Sequence, residues 1–60
     1  MKTFEITVIT TTDNKRHVFE NIEAESKFDA MLDCIEILQE SEEYSELDTA
    51  ENFLVGGVEK

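Results

Sequence analysis

The sequence contains one cysteine, no proline and, from Phe28 to Glu59, no lysine or arginine. A single cysteine, Cys34, excludes a disulfide within the chain. One cysteine and one histidine, His17, are too few for a structural zinc site. No apolar run approaches the roughly 20 residues that a membrane-spanning helix requires. Repeats and linkers are also missing, so residues 1–60 are expected to form a single small domain.

The short length limits how much stability packing supplies. A chain of this size buries only about 60% of the surface that its unfolded form exposes. Its core rarely contributes more than about 3–5 kcal/mol. Without a disulfide or a zinc ion, we expect a well-packed core or association with a second copy to supply the stability. The single thiol and the absence of a signal-peptide pattern at the N-terminus predict a cytoplasmic protein.

Negative charge is what the chain has in abundance. It carries fifteen acidic and five basic residues, which gives a net charge of −10. Ten of the acids lie in the base-free stretch: Asp29, Asp33, Glu36, Glu40, Glu42, Glu43, Glu46, Asp48, Glu51 and Glu59. Such a block repels phosphate and favours basic protein surfaces. Direct binding to nucleic acid or to an anionic membrane is therefore not expected.

Two strands are predicted in the first 24 residues. Residues 2–12 alternate, with Phe4, Ile6 and Val8 on one side, which is typical of a half-buried strand. Asp13-Asn14-Lys15 predicts a hairpin loop, because Asn tolerates a left-handed backbone. In the second strand, residues 16–24, the core-facing residues are Val18, Ile22 and Ala24, whereas Phe19 points outward and Glu20 inward. A β-bulge near Phe19-Glu20 resolves this conflict, and the hairpin register remains open.

A helix is predicted from about residue 27 to residue 40. Ser26 is the expected N-cap, with Asp29 at the capping-box position. Helical periodicity assigns to the sheet-facing side Phe28, Met31, Leu32, Ile35 and Leu38. Ala30, Cys34 and Ile37 form a third, apolar flank, onto which residues 41–51 are expected to fold back through Tyr44 and Leu47. Residues 52–58 predict a third strand, in which the paired glycines indicate a bulge or a fraying end.

These elements predict an α+β fold of order β-β-α-β. The right-handed crossover gives a three-stranded antiparallel sheet of strand order 2-1-3, with one long helix on one face. The expected core comprises Phe4, Ile6, Val8, Ile22, Phe28, Met31, Leu32, Ile35, Leu38 and Val55.

An acidic stripe on the helix is the first candidate site. Its carboxylates share the side opposite the sheet: Asp29, Asp33, Glu36, Glu40 and, if the helix continues, Glu43, supported by Glu42 and Glu46. Their spacing of three and four residues corresponds to about 4.5–6 Å along the helix axis. Duplex DNA presents one charge per about 3.4 Å of each strand. The row thus imitates phosphates coarsely and suits the groove of a nucleic-acid-binding protein. The alternative is a solvated helix face, although such faces usually gain from interleaved lysines.

The uncovered sheet face is the second candidate site. One helix covers one face, so Thr3, Thr7, Ile9, Thr11 and Phe19 are expected to point outward. Ile9 and Phe19 are the apolar residues that would seed a homodimer or receive a partner, and ordinary surface is the alternative.

Evidence for catalysis or for a cofactor is missing from the sequence. His17 has no neighbouring metal-ligand motif, and Cys34 is expected to be a small core residue rather than a nucleophile. Residues 41–51 lack the glycine and the ligand spacing of a calcium loop. Carboxylates are abundant, but acid–base chemistry needs a pocket that shifts their pKa values. We therefore expect a protein that is not an enzyme and that binds neither a metal nor a cofactor.

The junction from Ile22 to Ala30, with the sequence IEAESKFDA, resembles the strand-to-helix turn of small phage-encoded β-β-α-β proteins. Some anti-CRISPR proteins have this architecture, and other small acidic phage inhibitors mimic DNA. The resemblance covers nine of sixty residues and transfers no functional residue. It implies a small inhibitor or accessory protein of a phage or mobile element.

The sequence therefore predicts an acidic binding protein that inhibits or regulates a basic, nucleic-acid-handling partner. The alternative is a homo-oligomeric accessory or structural module that uses the sheet face.

Overall fold

The computed structural model describes the backbone of residues 1–60 and every side chain except those of residues 49 and 50. The chain forms, in order, β1 (Lys2–Thr10), β2 (Lys15–Ala24), α1 (Lys27–Gln39), α2 (Thr49–Asn52) and β3 (Phe53–Glu59). The strands pair in an antiparallel sheet of order β2-β1-β3, and α1 packs on one face of it. The predicted α+β fold is confirmed.

The central strand β1 has the alternation that its sequence predicts. Phe4, Ile6, Val8 and Thr10 are buried beneath the helix, while the residues between them are half-buried on the other face. Residues of a strand point to its two faces in turn, so one apolar face of β1 supplies the centre of the core.

A β-bulge in β2 settles the register of the hairpin. Thr10 pairs with Lys15 across the turn, in which Asn14 has a φ of 56°. The pairing shifts between Phe4 and Ile6, and Asn21, in the bulged segment of β2, has a φ of 58°. Asparagine is one of the few residues that adopt this left-handed conformation readily. The predicted bulge is confirmed, at a position within about one residue of the one expected.

The bulge reverses the faces of the residues that precede it in β2. Phe19 pairs with Ile6 and packs against the core, whereas Val18 is 50% exposed on the opposite face. The expectation that Phe19 points outward and Val18 inward is therefore wrong. One extra residue in a strand exchanges its two faces, because side chains alternate with a period of two. Ile9 does lie on the sheet face opposite α1, as predicted, where it pairs with Leu54.

Helix α1 begins as predicted. The Ser26 hydroxyl accepts a hydrogen bond from the backbone N–H of Asp29 at 3.2 Å, which confirms Ser26 as the N-cap. The cap satisfies one of the N–H groups that have no partner within the helix.

The side of α1 that faces the sheet differs from the predicted one. Ala30, Cys34 and Leu38 are buried, while Phe28 and Leu32 are 66% and 44% exposed. The prediction that Phe28 and Leu32 belong to the core is wrong. The centre of the contact lies about one residue, or roughly 100°, from the expected direction. Small side chains at Ala30 and Cys34 let the helix lie close to the sheet, and longer ones then fall on its flanks.

The rest of the predicted core is largely in place. Leu38 is buried with the β1 residues, and four others are partly buried against the core: Ile22, Met31, Ile35 and Val55. Five buried apolar residues were not in the predicted core: Ala24, Ala30, Cys34, Tyr44 and Phe53.

Residues 41–48 fold back, but not onto the expected flank of α1. Ala30 and Cys34 are covered by the sheet, and Ile37 remains 51% exposed. Tyr44 instead packs edge-on against Phe53 and His17 at the hairpin end of the sheet. Leu47 is half-buried against the same core.

Strand β3 continues through its two glycines. Its pairing with β1 is unbroken from Glu59, opposite Phe4, to Phe53, opposite Thr10. The expected bulge or fraying at the glycines is therefore wrong. Gly57 is needed for a different reason, because a Cβ there would lie 2.5 Å from Cδ1 of the buried Ile6.

Candidate functional site

An open groove of about 550 Å³ lies between one flank of α1 and the edge strand β2. Seven residues line it: Asn21, Ile22, Glu23, Asp33, Glu36, Ile37 and Glu40. We refer to this surface as the acidic groove. It contains three residues of the predicted helix stripe and, on its β2 side, three residues that the stripe did not include.

Helical spacing explains why α1 presents these residues together. Asp33 and Ile37 are four residues apart, as are Glu36 and Glu40, so each pair shares one side of the helix on successive turns. Ile37 is half-exposed within this set, and Ile22 faces it from β2. The acidic groove therefore combines aliphatic side chains with carboxylates around them.

Among the described side chains, none is a cationic partner of the carboxylates in the acidic groove. Asp33, Glu36 and Glu40 form no ion pair with any residue whose side chain the structure describes. Glu23 lines the groove only at the strand edge, because its pairing with Thr3 turns its side chain to the other face. The last turn of α1 contains no basic residue, and the C-terminal end of a helix is itself the negative end of its dipole. The groove is therefore a concentrated source of negative potential.

The remaining residues of the predicted stripe lie outside the acidic groove. Asp29 is in the first turn of α1, where a carboxylate interacts favourably with the helix dipole. Glu43 lies 3.8 Å from Lys15 in an exposed ion pair at the hairpin. Glu42 and Glu46 are exposed on the segment that follows the helix. Of the seven predicted residues, Asp33, Glu36 and Glu40 lie together in the acidic groove, and the other four lie elsewhere.

A hydrogen-bonded cluster at the hairpin end was not predicted from the sequence. The buried Thr10 hydroxyl donates to Asp13, whose other carboxylate oxygen accepts from the Tyr44 hydroxyl at 2.7 Å. Nε2 of His17 lies 3.2 Å from the Thr10 oxygen, and the His17 ring packs edge-on against Tyr44. The cluster ties residues 41–48 to the hairpin. The contact between residues 13 and 44 depends on the folded chain, so local sequence patterns give no signal for it.

The hydrogen bonds of this cluster shift its acid–base equilibria. The Thr10 and Tyr44 hydroxyls stabilise the ionised carboxylate and lower the pKa of Asp13 from 3.8 to about 2. The same bond raises the pKa of Tyr44, because it stabilises the neutral phenol. These groups satisfy one another, which favours a structural role.

Asp13→Asn is expected to make stability less dependent on pH in acid. The lowered pKa means that ionised Asp13 stabilises the fold fully above pH 3.8, and that this contribution is lost as the pH falls through about 2. Thermal unfolding of both proteins between pH 5 and pH 2 tests this. The other carboxylates titrate in both, so the difference in midpoint isolates Asp13. We expect that difference to shrink as the pH falls; a constant difference would contradict the assignment.

The thiol of Cys34 is poorly placed for chemistry. Cys34 is fully buried, and burial followed by the nearby charge of Asp33 raises the pKa of its thiol. A thiol of raised pKa is a weak nucleophile, so Cys34 acts as a small core residue, as predicted. Among the described side chains, no three His, Cys, Asp or Glu residues are arranged to hold a metal ion.

Comparison with known proteins gives no identity. No family model, no curated protein and no solved structure matches this chain. Within the described residues, neither α1 nor α2 has the length and apolar character to cross a membrane. The acidic groove is therefore the feature of this chain that bears on function.

Proposed function

We propose that this chain is a non-enzymatic binding protein that inhibits or regulates a basic partner protein through the acidic groove. The observation that carries the proposal is the set of three α1 carboxylates, Asp33, Glu36 and Glu40, unpaired with any described side chain, beside the aliphatic residues Ile22 and Ile37. An ordinary solvated surface gains from mixed charges, whereas adjacent like charges on a helix cost a few tenths of a kcal/mol each. A site that a cationic partner neutralises explains why the acids are kept together.

The groove suits lysine and arginine side chains in particular. These side chains have a long apolar stem and a cationic head. The stem would lie along Ile22 and Ile37, and the head would meet Asp33, Glu36 or Glu40. Hydrogen bonds between ionised groups are roughly twice as strong as neutral ones. Several such contacts would hold a basic helix or loop.

A nucleic-acid-handling protein is the class of partner that we propose. Such proteins concentrate lysine and arginine in one channel. Carboxylates about 4.5–6 Å apart along α1 approximate the spacing of phosphates along a strand. The chain would then act as a competitor for that channel, in the manner of an anti-CRISPR or DNA-mimic inhibitor.

Reversing the charge of the groove is expected to abolish partner capture. In the variant Asp33→Lys, Glu36→Lys and Glu40→Lys, three charges change by two units each, which moves the net charge from −10 to −4. These positions are exposed, so the fold is expected to survive. Affinity capture from the native host with mass spectrometry identifies what the unchanged chain binds and the variant loses.

A matched control separates the groove from overall charge. Glu25→Lys, Glu51→Lys and Glu59→Lys also give a net charge of −4 at exposed positions outside the groove. We expect the control to retain the partner, and the complex of the unchanged chain to weaken steeply with salt. Equal recovery of the partner by both variants would show that the groove is not the binding site.

A further inference from the structure

The sheet face that α1 leaves open presents three strongly exposed aliphatic side chains. Val18, Leu54 and Val58 are 50%, 59% and 62% exposed. Strand pairing puts Leu54 beside Ile9, and it puts Val18 and Gly56 on either side of Thr7. We call this surface the open face. Leu54 adjoins Ile9, and Val18 and Val58 lie on the same face. Several exposed aliphatic residues gathered on one uncovered face indicate an interaction surface.

Charge on the sheet is balanced, in contrast to the rest of the chain. The three strands, together with Lys60 after β3, carry equal numbers of acids and bases. The acids are Glu5, Glu20, Glu23 and Glu59, and the bases are Lys2, Lys15, Arg16 and Lys60. The remainder carries eleven acids and one lysine, and so accounts for the whole net charge of −10. Two copies that meet through their sheets keep their acidic helices apart. Repulsion between copies is therefore smallest at the open face.

We propose that the open face binds a second copy of this chain, with the two sheets face to face and their strands antiparallel. The two-fold axis would lie between the two sheets, perpendicular to the strands, and would cross β1 between Glu5 and Thr7. This inference goes beyond the proposed function and does not rest on it. An interface of this kind uses the same patch on both copies, so the patch must complement itself.

The register of the strands provides that complementarity. Arg16 pairs with Ile9 near the turn, and Glu23 pairs with Thr3 at the other end of β2. The axis places Arg16 over Glu23 of the second copy. It also places Val58 over Gly56 of the second copy, where a Cβ would meet no atom within 4 Å. An axis parallel to the strands would instead stack Glu5 on Glu5, and repulsion disfavours it.

The area of the open face predicts a reversible dimer. The molecule measures 31 × 18 × 16 Å, and its broad side has a footprint of about 560 Å² from the first two of these values. Stable interfaces bury roughly 600–1,000 Å² on each partner. Even this full footprint falls just below the range, so association is expected to be weak and to depend on concentration.

Leu54→Lys tests the interface against a matched control. The new lysine would lie over Lys60 of the second copy, and we expect association to weaken by at least about tenfold. Phe28→Lys makes the same change of charge at an exposed apolar residue of α1, and we expect it to associate like the unchanged chain. Sedimentation equilibrium up to about 100 µM measures this, since specific complexes of micromolar affinity form well below that concentration.

The masses decide between the outcomes. We expect the unchanged chain and Phe28→Lys to approach twice 6.9 kDa, and Leu54→Lys to stay near 6.9 kDa. A single-chain mass for the unchanged protein throughout, or equal association by both variants, would overturn the proposal. Added salt is expected to weaken this complex only modestly, because the Arg16–Glu23 contacts are exposed and the aliphatic residues do not respond to screening.

Charge exchange tests the direction of packing. Arg16→Glu alone and Glu23→Arg alone each put like charges together at two places, and each is expected to weaken association by roughly tenfold. An equimolar mixture of the two variants is expected to restore it, because positions 16 and 23 then carry opposite charges at both contacts of a mixed dimer. If the mixture associates no better than the separate variants, the antiparallel arrangement is wrong.

Discussion

Ala30→Leu is expected to destabilise the fold by about 1–3 kcal/mol, because extra methylene groups in a packed core force side chains and backbone to shift. Ala30 is fully buried where α1 meets the sheet. A core of this size rarely supplies more than about 3–5 kcal/mol, so much of the stability would be lost. Urea unfolding followed by circular dichroism measures the change in the free energy of unfolding.

Phe28→Ala is the informative comparison for that result. Sequence periodicity places Phe28 against the sheet, where its removal would cost about 3–5 kcal/mol. In the structure Phe28 is 66% exposed, and we expect its removal to change stability by no more than about 0.5 kcal/mol. A large loss for Phe28→Ala together with a small one for Ala30→Leu would show that the helix presents the other side to the sheet.

Gly57→Ala is expected to be the second strongly destabilising change, at about 1–3 kcal/mol. The new Cβ would lie 2.5 Å from Cδ1 of Ile6 and 3.1 Å from the carbonyl oxygen of Glu5. Ile6 is fully buried and β1 is the central strand, so neither group has room to move away. Chemical unfolding in dilute solution, where the chain is expected to be monomeric, measures the cost.

Gly56→Ala provides the neighbouring control for this substitution. No atom lies within 4 Å of a Cβ built on Gly56, and its φ is not positive. An alanine there is expected to leave stability unchanged or to raise it by about 0.4–1 kcal/mol, because it restricts the unfolded chain. Equal losses at both glycines would mean that the sheet requires glycine for its backbone rather than for the space that Ile6 occupies.

Local patterns were sufficient for the strands and for the start of the helix. The alternation of Phe4, Ile6 and Val8 predicts their burial, and Ser26 predicts the N-cap. The misplaced Glu20 in β2 predicts a bulge, since a register without one would bury a carboxylate. The prediction for Phe19 was wrong. The face to which this residue points depends on whether the extra residue of the bulge comes before or after it in β2.

The helix face was harder to predict because apolar residues surround most of α1. When large residues such as Phe28 and Leu32 compete with small ones such as Ala30 and Cys34, periodicity favours the more hydrophobic set. In the structure the small residues Ala30 and Cys34 face the sheet. Close approach of the helix gives more van der Waals contacts along its whole length than Phe28 and Leu32 would give.

The acidic groove was predicted in part. Its carboxylates on α1 follow from helical spacing, whereas Asn21, Ile22 and Glu23 join them through the path of the bulged strand. The link between Asp13 and Tyr44 joins residues 31 positions apart. Such a contact follows only from the arrangement of the whole chain.

The separation of charge between a balanced sheet and an acidic helix side makes the molecule a strong electric dipole. In the field of a basic protein, a dipole rotates before contact and approaches with its acidic side first. Orientation of this kind raises the rate of productive encounter, and salt reduces the effect. This chain of 60 residues would thus approach the basic partner that we propose with its acidic side turned towards that partner.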